Sequence, residues 1–367
     1  MQSLNQKFLL SITLAGILLV SPISLGAFAQ EKGPRDLPEV SQAPFNVKVI
    51  RGGGLTAFVL PLYTTFGDPS GYVTSPGGTL DGVGDLILTR SDFTVRCSGA
   101  LLPTGKHVLT AAHCITDDRG RLNLQSGYVT FEGDSGNEQI DVISAIKHPK
   151  FKGDVLRGND IAVLELATVA SSDITRYDID RDPTDDVGSV GIKAGYGRTG
   201  QGDVGSVDPS GTKHDGKNKY DATAREMYQA LRLSERQYFA DGILQFDFDN
   251  LKPANDAFGF FFSISDTGLG TPEVNSAPGD SGGPTQTNGV ITGVTSYGLT
   301  LTYNDGSTSD VTPRVVDSSF GEFSADTRVS QFISFIDDAM SVGTDDGGTD
   351  PGPTDKCNPG KQKKGLC

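Results

Sequence analysis

Three short stretches of the sequence carry side chains that together could perform acyl-transfer chemistry. His113 ends one apolar run, Asp160 opens another, and Ser281 lies in the glycine-rich segment 279–284. A serine hydroxyl is a weak nucleophile at neutral pH, and a histidine titrating near that pH can accept its proton. Each residue alone also has an ordinary explanation, as a structural histidine, a strand-entry aspartate or a tight turn. Their joint occurrence predicts a base, an orienting acid and a nucleophile.

The glycines next to Ser281 would shape the site for the developing negative charge. Gly279 allows the backbone to turn so that its N–H and that of Ser281 converge on an oxyanion, an interaction typically worth about 3–4 kcal/mol in the barrier. Asp160, if buried, would accept the other imidazole proton of His113 and fix the ring tautomer. This chemistry requires no cofactor and no metal ion, and we expect neither.

Short strands must position these residues. The 367-residue chain contains 47 glycines and 19 prolines, which favour turns, and its apolar runs are short and rich in β-branched residues, as in 106–112, 161–166 and 290–297. The sequence therefore predicts an all-β sandwich or pair of barrels. The 31 Lys and Arg against 46 Asp and Glu give a net charge of −15, which argues against nucleic-acid or acidic-membrane partners.

The chain divides into four regions. Residues 1–29 combine Lys7, a 13-residue apolar stretch and the small residues Ala27 and Ala29, as in a cleavable secretory signal; an N-terminal membrane anchor is the alternative. Residues 30–48 resemble a leader, 49–341 the folded domain, and 342–367 a Gly/Asp/Pro linker with a basic tail. We expect a secreted or periplasmic protein without a membrane partner after signal removal.

Export makes disulfides possible among the four cysteines, Cys97, Cys114, Cys357 and Cys367. Three connectivities are open, and local pairing of 97 with 114 and of 357 with 367 is the simplest.

One helix is indicated, a second segment is open between helix and loop, and two polar segments each have two interpretations. Val329, Phe332, Ile333, Ile336 and Met340 are spaced along one helical face, whereas residues 224–231 fit a helix or an irregular loop equally well. The polar stretch 208–220 predicts a surface loop, either specificity-determining or merely solvated. The acidic run 180–186 fits either a calcium loop or, more commonly, a solvated surface.

These motifs together resemble the chymotrypsin/trypsin family of serine proteases. His113, Asp160 and Ser281 occur in the family's order, and further matches are found at 97–102, 195–197, 296–298 and in the helix after 326–329. The resemblance covers roughly residues 49–341. It implies two antiparallel six-stranded β-barrels followed by a C-terminal α-helix, with the first barrel supplying His113 and Asp160 and the second Ser281. We interpret the chain as a secreted bacterial serine endopeptidase that cleaves proteins or peptides.

The resemblance also implies a substrate pocket. Its members would be Asn275 at the base, where trypsin-like enzymes keep an acid, with Ser276, Ser296, Tyr297, Gly298 and, less directly, Ser324. Glu273 lies two residues from Asn275 and could replace it at the base if the alignment shifts. Ala277 replaces the family's bracing cysteine.

Activation is implied as well. Cleavage after Lys48 would release the amine of Val49 to pair with Asp280, although Arg51 departs from the family's glycine.

Parts of the sequence also fit four other functions. The nucleophile elbow of α/β-hydrolases also fits G-x-S-x-G, but there a histidine follows the serine, and here both His113 and Asp160 precede Ser281. Residues 195–200 match G-x-G-x-x-G without the βαβ unit of a dinucleotide site. A catalytically silent binding protein and an esterase on the same scaffold remain as alternatives.

Overall fold

The computed structural model describes residues 48–60, 62–184 and 186–341. The predicted signal peptide, most of the leader, the C-terminal tail and the Cys357–Cys367 pair lie outside these residues. Seventeen strands are present in the described part: β1 Lys48–Gly52, β2 Leu55–Leu60, β3 Leu62–Thr65, β4 Val83–Arg90, β5 Thr94–Leu101, β6 His107–Thr110, β7 Leu124–Gly133, β8 Gly136–Lys147, β9 Ala162–Leu166, β10 Val190–Gly195, β11 His214–Lys219, β12 Ala222–Thr223, β13 Ile243–Asp247, β14 Val274–Ala277, β15 Pro284–Thr287, β16 Val290–Tyr303 and β17 Phe323–Arg328. The helices are α1 Arg225–Ala230, α2 Ala257–Phe262 and α3 Ile333–Ser341, with short 3-10 turns at Pro69–Tyr72, Ala112–Cys114, Val155–Arg157, Ala240–Gly242 and Val329–Gln331.

The first half of the domain is a closed antiparallel barrel of six strands in the order β4-β5-β6-β9-β8-β7. Closure pairs every strand on both sides and leaves no free edge. Its interior is filled by fully buried apolar side chains such as Leu86, Leu109 and Phe131. The predicted first barrel is therefore confirmed, and it fixes the strand ends that precede His113 and follow Asp160.

The second half is built on one antiparallel sheet. Its path runs β11-β10-β15-β16-β17-β13-β12, and β1 and β2 attach to it, so that nine strands of the described chain belong to this sheet. It is formed by the part of the chain in which the second barrel is predicted. The 14-residue β16 pairs with β15 through its first residues and with β2 through its last, while β17 lies along its other side. β3 leaves this sheet and pairs with β14.

Both helix predictions agree with the structure. Val329 and Phe332 in the turn before α3, and Ile336 within it, are buried against the core of the first barrel. Residues 225–230 form α1, so the helical interpretation was right and the loop interpretation wrong. Within the described ranges, no helix is long and apolar enough to span a bilayer.

The stretch 208–220, predicted as a surface loop, is partly a strand, so that prediction was wrong for its second half. Residues 214–219 form β11, which pairs along its whole length with β10. His214, Gly216 and Asn218 are buried in alternation, as on one face of a strand, although none is an apolar strand former. The polar composition concealed the strand because main-chain hydrogen bonds hold it to the sheet edge.

The predicted local disulfide is present. Cys97 on β5 and Cys114, the residue after His113, are joined, with their Cα atoms 6.4 Å apart. The bond fastens the chain end that carries His113 to a barrel strand.

Removing this disulfide should cost stability. Replacing Cys97 and Cys114 together by alanine releases a 17-residue constraint on the unfolded chain, and we expect the free energy of unfolding to fall by about 3 kcal/mol. Urea unfolding of the full chain measures this, with Ser281→Ala in both proteins to prevent self-digestion. Equal free energies of unfolding for the two proteins would contradict the prediction.

Candidate active site

His113 is positioned by the end of the first barrel. The chain leaves β6 at Thr110, enters the 3-10 turn Ala112–Cys114 and is held there by the disulfide. The His113 side chain is 12% exposed, and its Nδ1 lies 2.7 Å from Asp160 Oδ2. Its Nε2 is buried and has no hydrogen-bond partner among the described residues. The ring is thus fixed from one side, and Nε2 is left for another group.

Asp160 is fully buried immediately before β9. Its Oδ1 accepts the backbone N–H of His113 at 2.8 Å, and its Oδ2 accepts the Ser296 hydroxyl at 2.6 Å. The preceding Asn159 has a left-handed φ of 63°, a conformation that asparagine tolerates better than most residues. The Asp160 carboxylate therefore accepts hydrogen bonds from donors in both halves of the domain.

Ser296 reaches Asp160 because β16 is irregular at this point. Thr295 pairs with Asp326 and Tyr297 with Ala325 on β17, so Ser296 is the extra residue of a bulge. A bulge of this kind redirects a side chain out of the regular alternation. The sequence places Ser296 in the substrate pocket wall, which stays a prediction; its hydroxyl supports Asp160, a role that the sequence did not indicate.

Ser281 lies in a turn that packs against the chain leading to His113. Its carbonyl accepts the N–H of Ser98 at 2.8 Å and lies 3.7 Å from Cys114 Sγ. Gly282 allows this approach, since a Cβ there would lie 2.0 Å from Thr110 Oγ1. The structure therefore brings together the three stretches of sequence that carry His113, Asp160 and Ser281.

Gly279 has a φ of +107°, and a Cβ at this position would lie 2.8 Å from the Cα of Gly197. A side chain would thus be strained both by conformation and by contact. The predicted need for glycine at 279 has a physical basis in the structure.

Asp280 is buried in a cradle of backbone. Oδ1 accepts the N–H of Gly197 at 2.8 Å and Oδ2 that of Ala277 at 3.0 Å. A Cβ on Gly195 or Gly197 would lie within 2.4 Å of this carboxylate, which explains the G-x-G at 195–197 without a nucleotide. Burial raises the pKa of Asp280 well above its usual value, opposed by the Gly197 N–H and by Lys193.

Val49 lies on β1, opposite Phe58 of β2, and is 42% exposed. The segment that runs beside the Asp280 cradle is instead β3. The backbone of Leu62 lies opposite Ala277, the residue whose N–H binds Asp280.

The predicted pocket residues are buried and partly unpaired. Asn275 Oδ1 accepts the Ser324 hydroxyl at 2.5 Å and the Ser276 N–H at 2.9 Å. Asn275 Nδ2 and Ser276 Oγ are buried without hydrogen-bond partners among the described residues. Glu273 is turned away: one carboxylate oxygen accepts the N–H of Asp249, the other that of Leu269, and burial raises its pKa to about 7.

The edge of β16 that begins at Gly298 is already paired. Leu60 lies opposite Gly298, and β2 continues the ladder to Tyr303. The Tyr297 side chain is buried, with its hydroxyl 3.4 Å from that of Tyr228, so only its backbone can face the cleft edge. Sequence reasoning did not anticipate that this edge is covered by an earlier part of the same chain.

Comparison with known proteins agrees with this architecture. A family model for trypsin matches residues 83–242, which include His113 and Asp160. The chain is 29% identical to duodenase-1 of Bos taurus over 255 residues, 69% of this chain and 82% of the relative. It is 29% identical to granzyme B of Rattus norvegicus over 264 residues, 69% and 83% of the two chains.

A shorter match of 40% identity covers 72 residues of chymotrypsin-C of Mus musculus, 19% of this chain and 26% of that protein. All three relatives are mammalian, and the bacterial origin of this chain stays a prediction. On the family match over residues 83–242, the two long alignments and the closed barrel, the chain carries a trypsin-like domain and is a serine endopeptidase.

Proposed function

We propose that the chain is a secreted endopeptidase in which His113 is the general base, Asp160 orients it and Ser281 is the nucleophile. The observation that carries the proposal is the 2.7 Å contact between His113 Nδ1 and Asp160 Oδ2 beside the glycine-flanked Ser281. With Nδ1 engaged by the carboxylate, Nε2 is the ring nitrogen able to accept a proton. The Cys97–Cys114 disulfide supports an oxidising compartment and hence secretion.

The reaction would proceed through an acyl-enzyme. Ser281 Oγ attacks the scissile carbonyl carbon while its proton passes to His113 Nε2, and the N–H groups of Gly279 and Ser281 stabilise the oxyanion. Collapse breaks the C–N bond as His113 gives the proton to the leaving amine. Water then attacks the ester with His113 again as base, which releases the acid and restores Ser281.

The pocket contacts support a preference for neutral polar side chains at the residue before the cleaved bond. Because the Asn275 oxygen is occupied by Ser324 and Ser276, its Nδ2 is the group left to donate to a substrate. The hydroxyl of Ser276 is also free. An amide or other acceptor side chain fits these groups, whereas Lys or Arg would find no counter-charge here.

The paired edge of β16 supports a latent state of the uncleaved chain. In the family residues 296–298 would bind the substrate backbone, and here β2 pairs with β16 from Gly298 onward and so covers the last of these positions. A cut between β2 and β3 would free the edge and also release an amine at the start of β3, next to the Asp280 cradle. The contacts of β3 therefore support a new terminus near Leu62 over the sequence-predicted Val49.

A fluorophosphonate probe tests for a working nucleophile. We expect the processed protein to be labelled at Ser281, the uncleaved chain from Gln30 to be labelled much more slowly, and Ser281→Ala not at all. Ser276→Ala is the matched control and should keep the label. A processed wild-type protein that is never labelled would be a catalytically silent homologue. A protein that cleaves activated esters but no unfolded protein would be an esterase.

N-terminal sequencing of the processed, labelled protein locates the activating cut. We expect a terminus at Leu62 or Tyr63, because the amine must reach Asp280. A terminus at Val49 would support the cleavage after Lys48 instead, and active protein that begins at Gln30 would contradict both.

Substrate preference should change with the pocket base. Asn275→Asp places a carboxylate at the pocket base, and we expect the ratio of kcat/KM for Lys or Arg over Gln substrates to rise at least about tenfold, from an ion pair of more than 1.4 kcal/mol. Peptide-library profiling measures it, with the exposed Asn137→Asp as control. An unchanged ratio would place position 275 outside the pocket.

A further inference from the structure

A second group of acidic side chains lies on elements that do not carry His113, Asp160 or Ser281. Asp247 ends β13, Asp249 follows it in the next loop, and Asp256 caps the N-terminus of α2. One carboxylate oxygen from each lies within 4.8 Å of the others, and each residue is only 2% exposed. Three acids with this spacing and burial require a compensating group.

One oxygen in the group has no hydrogen-bond partner. Asp247 Oδ2 accepts the N–H of Phe258 at 2.8 Å, and Asp256 Oδ1 accepts that of Gly259. In contrast, Asp249 Oδ1 is buried without any partner among the described residues. A buried carboxylate oxygen left unpaired costs more than an ordinary unmade hydrogen bond, so this atom indicates a missing ligand.

Neighbouring charges do not supply it. Within the described residues, no Lys or Arg forms an ion pair with the three acids; Lys219 is engaged by Asp221, at 3.1 Å, and by Asp266. The unpaired Asp249 Oδ1 and the two neighbouring carboxylates are thus left without a positively charged partner among the described residues.

We propose that Asp247, Asp249 and Asp256 bind one divalent cation, and that the ion is Ca²⁺. Carboxylate oxygens are hard ligands, and main-chain carbonyls of the loop between Asp247 and Asp256, or water, can complete the six to eight oxygens that Ca²⁺ accepts. Mg²⁺ requires a stricter octahedron and gives up its water reluctantly, so it should bind more weakly here.

The position of this site gives the ion a structural role. It would join the end of β13 to the start of α2, and the same loop continues through residues 263–273 into β14. Glu273, whose carboxylate binds the N–H of Asp249, is two residues from Asn275. The cation would therefore hold the loop that leads into the pocket strand.

Calcium titration of the full chain tests the site. We use Ser281→Ala protein, so that self-digestion does not contribute, and measure binding by calorimetry and thermal unfolding in EDTA, CaCl₂ or MgCl₂. We expect one strongly bound Ca²⁺ and a rise in Tm on the order of 5 °C when Ca²⁺ is a hundredfold above its Kd. The shift with Mg²⁺ should be smaller.

Two variants assign the binding to this cluster. Asp249→Asn should weaken Ca²⁺ binding at least about a hundredfold and abolish the Tm shift. It should also be no less stable than the parent in EDTA, because it removes buried like-charge repulsion. Asp256→Asn keeps the oxygen that caps α2 and should lose Ca²⁺ in the same way if Asp249→Asn does not fold. The exposed Asp118→Asn is the matched control and should respond as the parent does.

Two results would overturn the proposal. One is a parent protein that binds no Ca²⁺ at millimolar concentration. The other is a folded Asp249→Asn or Asp256→Asn protein that keeps the parent's affinity and Tm shift, which would place any bound ion elsewhere.

Discussion

The site depends on satisfying one buried carboxylate. Asp160 has no exposure to solvent, and a charge in that position must be compensated by well-placed donors. Those donors come from distant parts of the chain: the backbone and ring of His113 from the first barrel, and the hydroxyl of Ser296 from β16. Thr327 on β17 additionally donates to the Asp160 carbonyl at 2.8 Å. Asp160 can receive all of these hydrogen bonds only when the two halves of the domain are correctly packed against each other. The same packing places His113 beside the turn that carries Ser281.

Asp280 is buried as deeply but is held differently. Its partners Gly197 and Ala277 are neutral N–H groups. Lys193, the nearby cation, is itself buried and spends its ammonium on Asp326 and Thr285. Asp160 is thus paired with a ring that can carry a proton, whereas Asp280 lacks an ionic partner of its own in the described chain. Asp160 is therefore placed to orient the ring that would transfer a proton, and Asp280 is placed to receive the amine that the proposed cleavage would create.

Sequence reasoning reached the features that depend on side-chain type. A residue pattern that reflects burial or covalent chemistry marks the stretches around His113, Asp160 and Ser281. The same holds for the Cys97–Cys114 pair and for the helix α3 that follows Val329. The role of Ser296 at Asp160 could not be read in this way, because a bulge in β16 redirects it and a bulge leaves no mark in a regular alternation. The glycine pair 195–197 was noticed, but its purpose depends on a carboxylate 83 residues further along the chain.

The strands β11 and β2 were not apparent from the sequence for a related reason. β11 and β2 attach to sheet edges through backbone groups that every residue except proline carries in full. An edge can therefore recruit a polar strand such as 214–219 with little demand on its side chains. The same property makes the covering of β16 by β2 reversible in principle, since a substrate backbone offers the edge the same donors and acceptors. Occupying a recognition edge with the chain's own backbone thus requires no dedicated motif, only proximity.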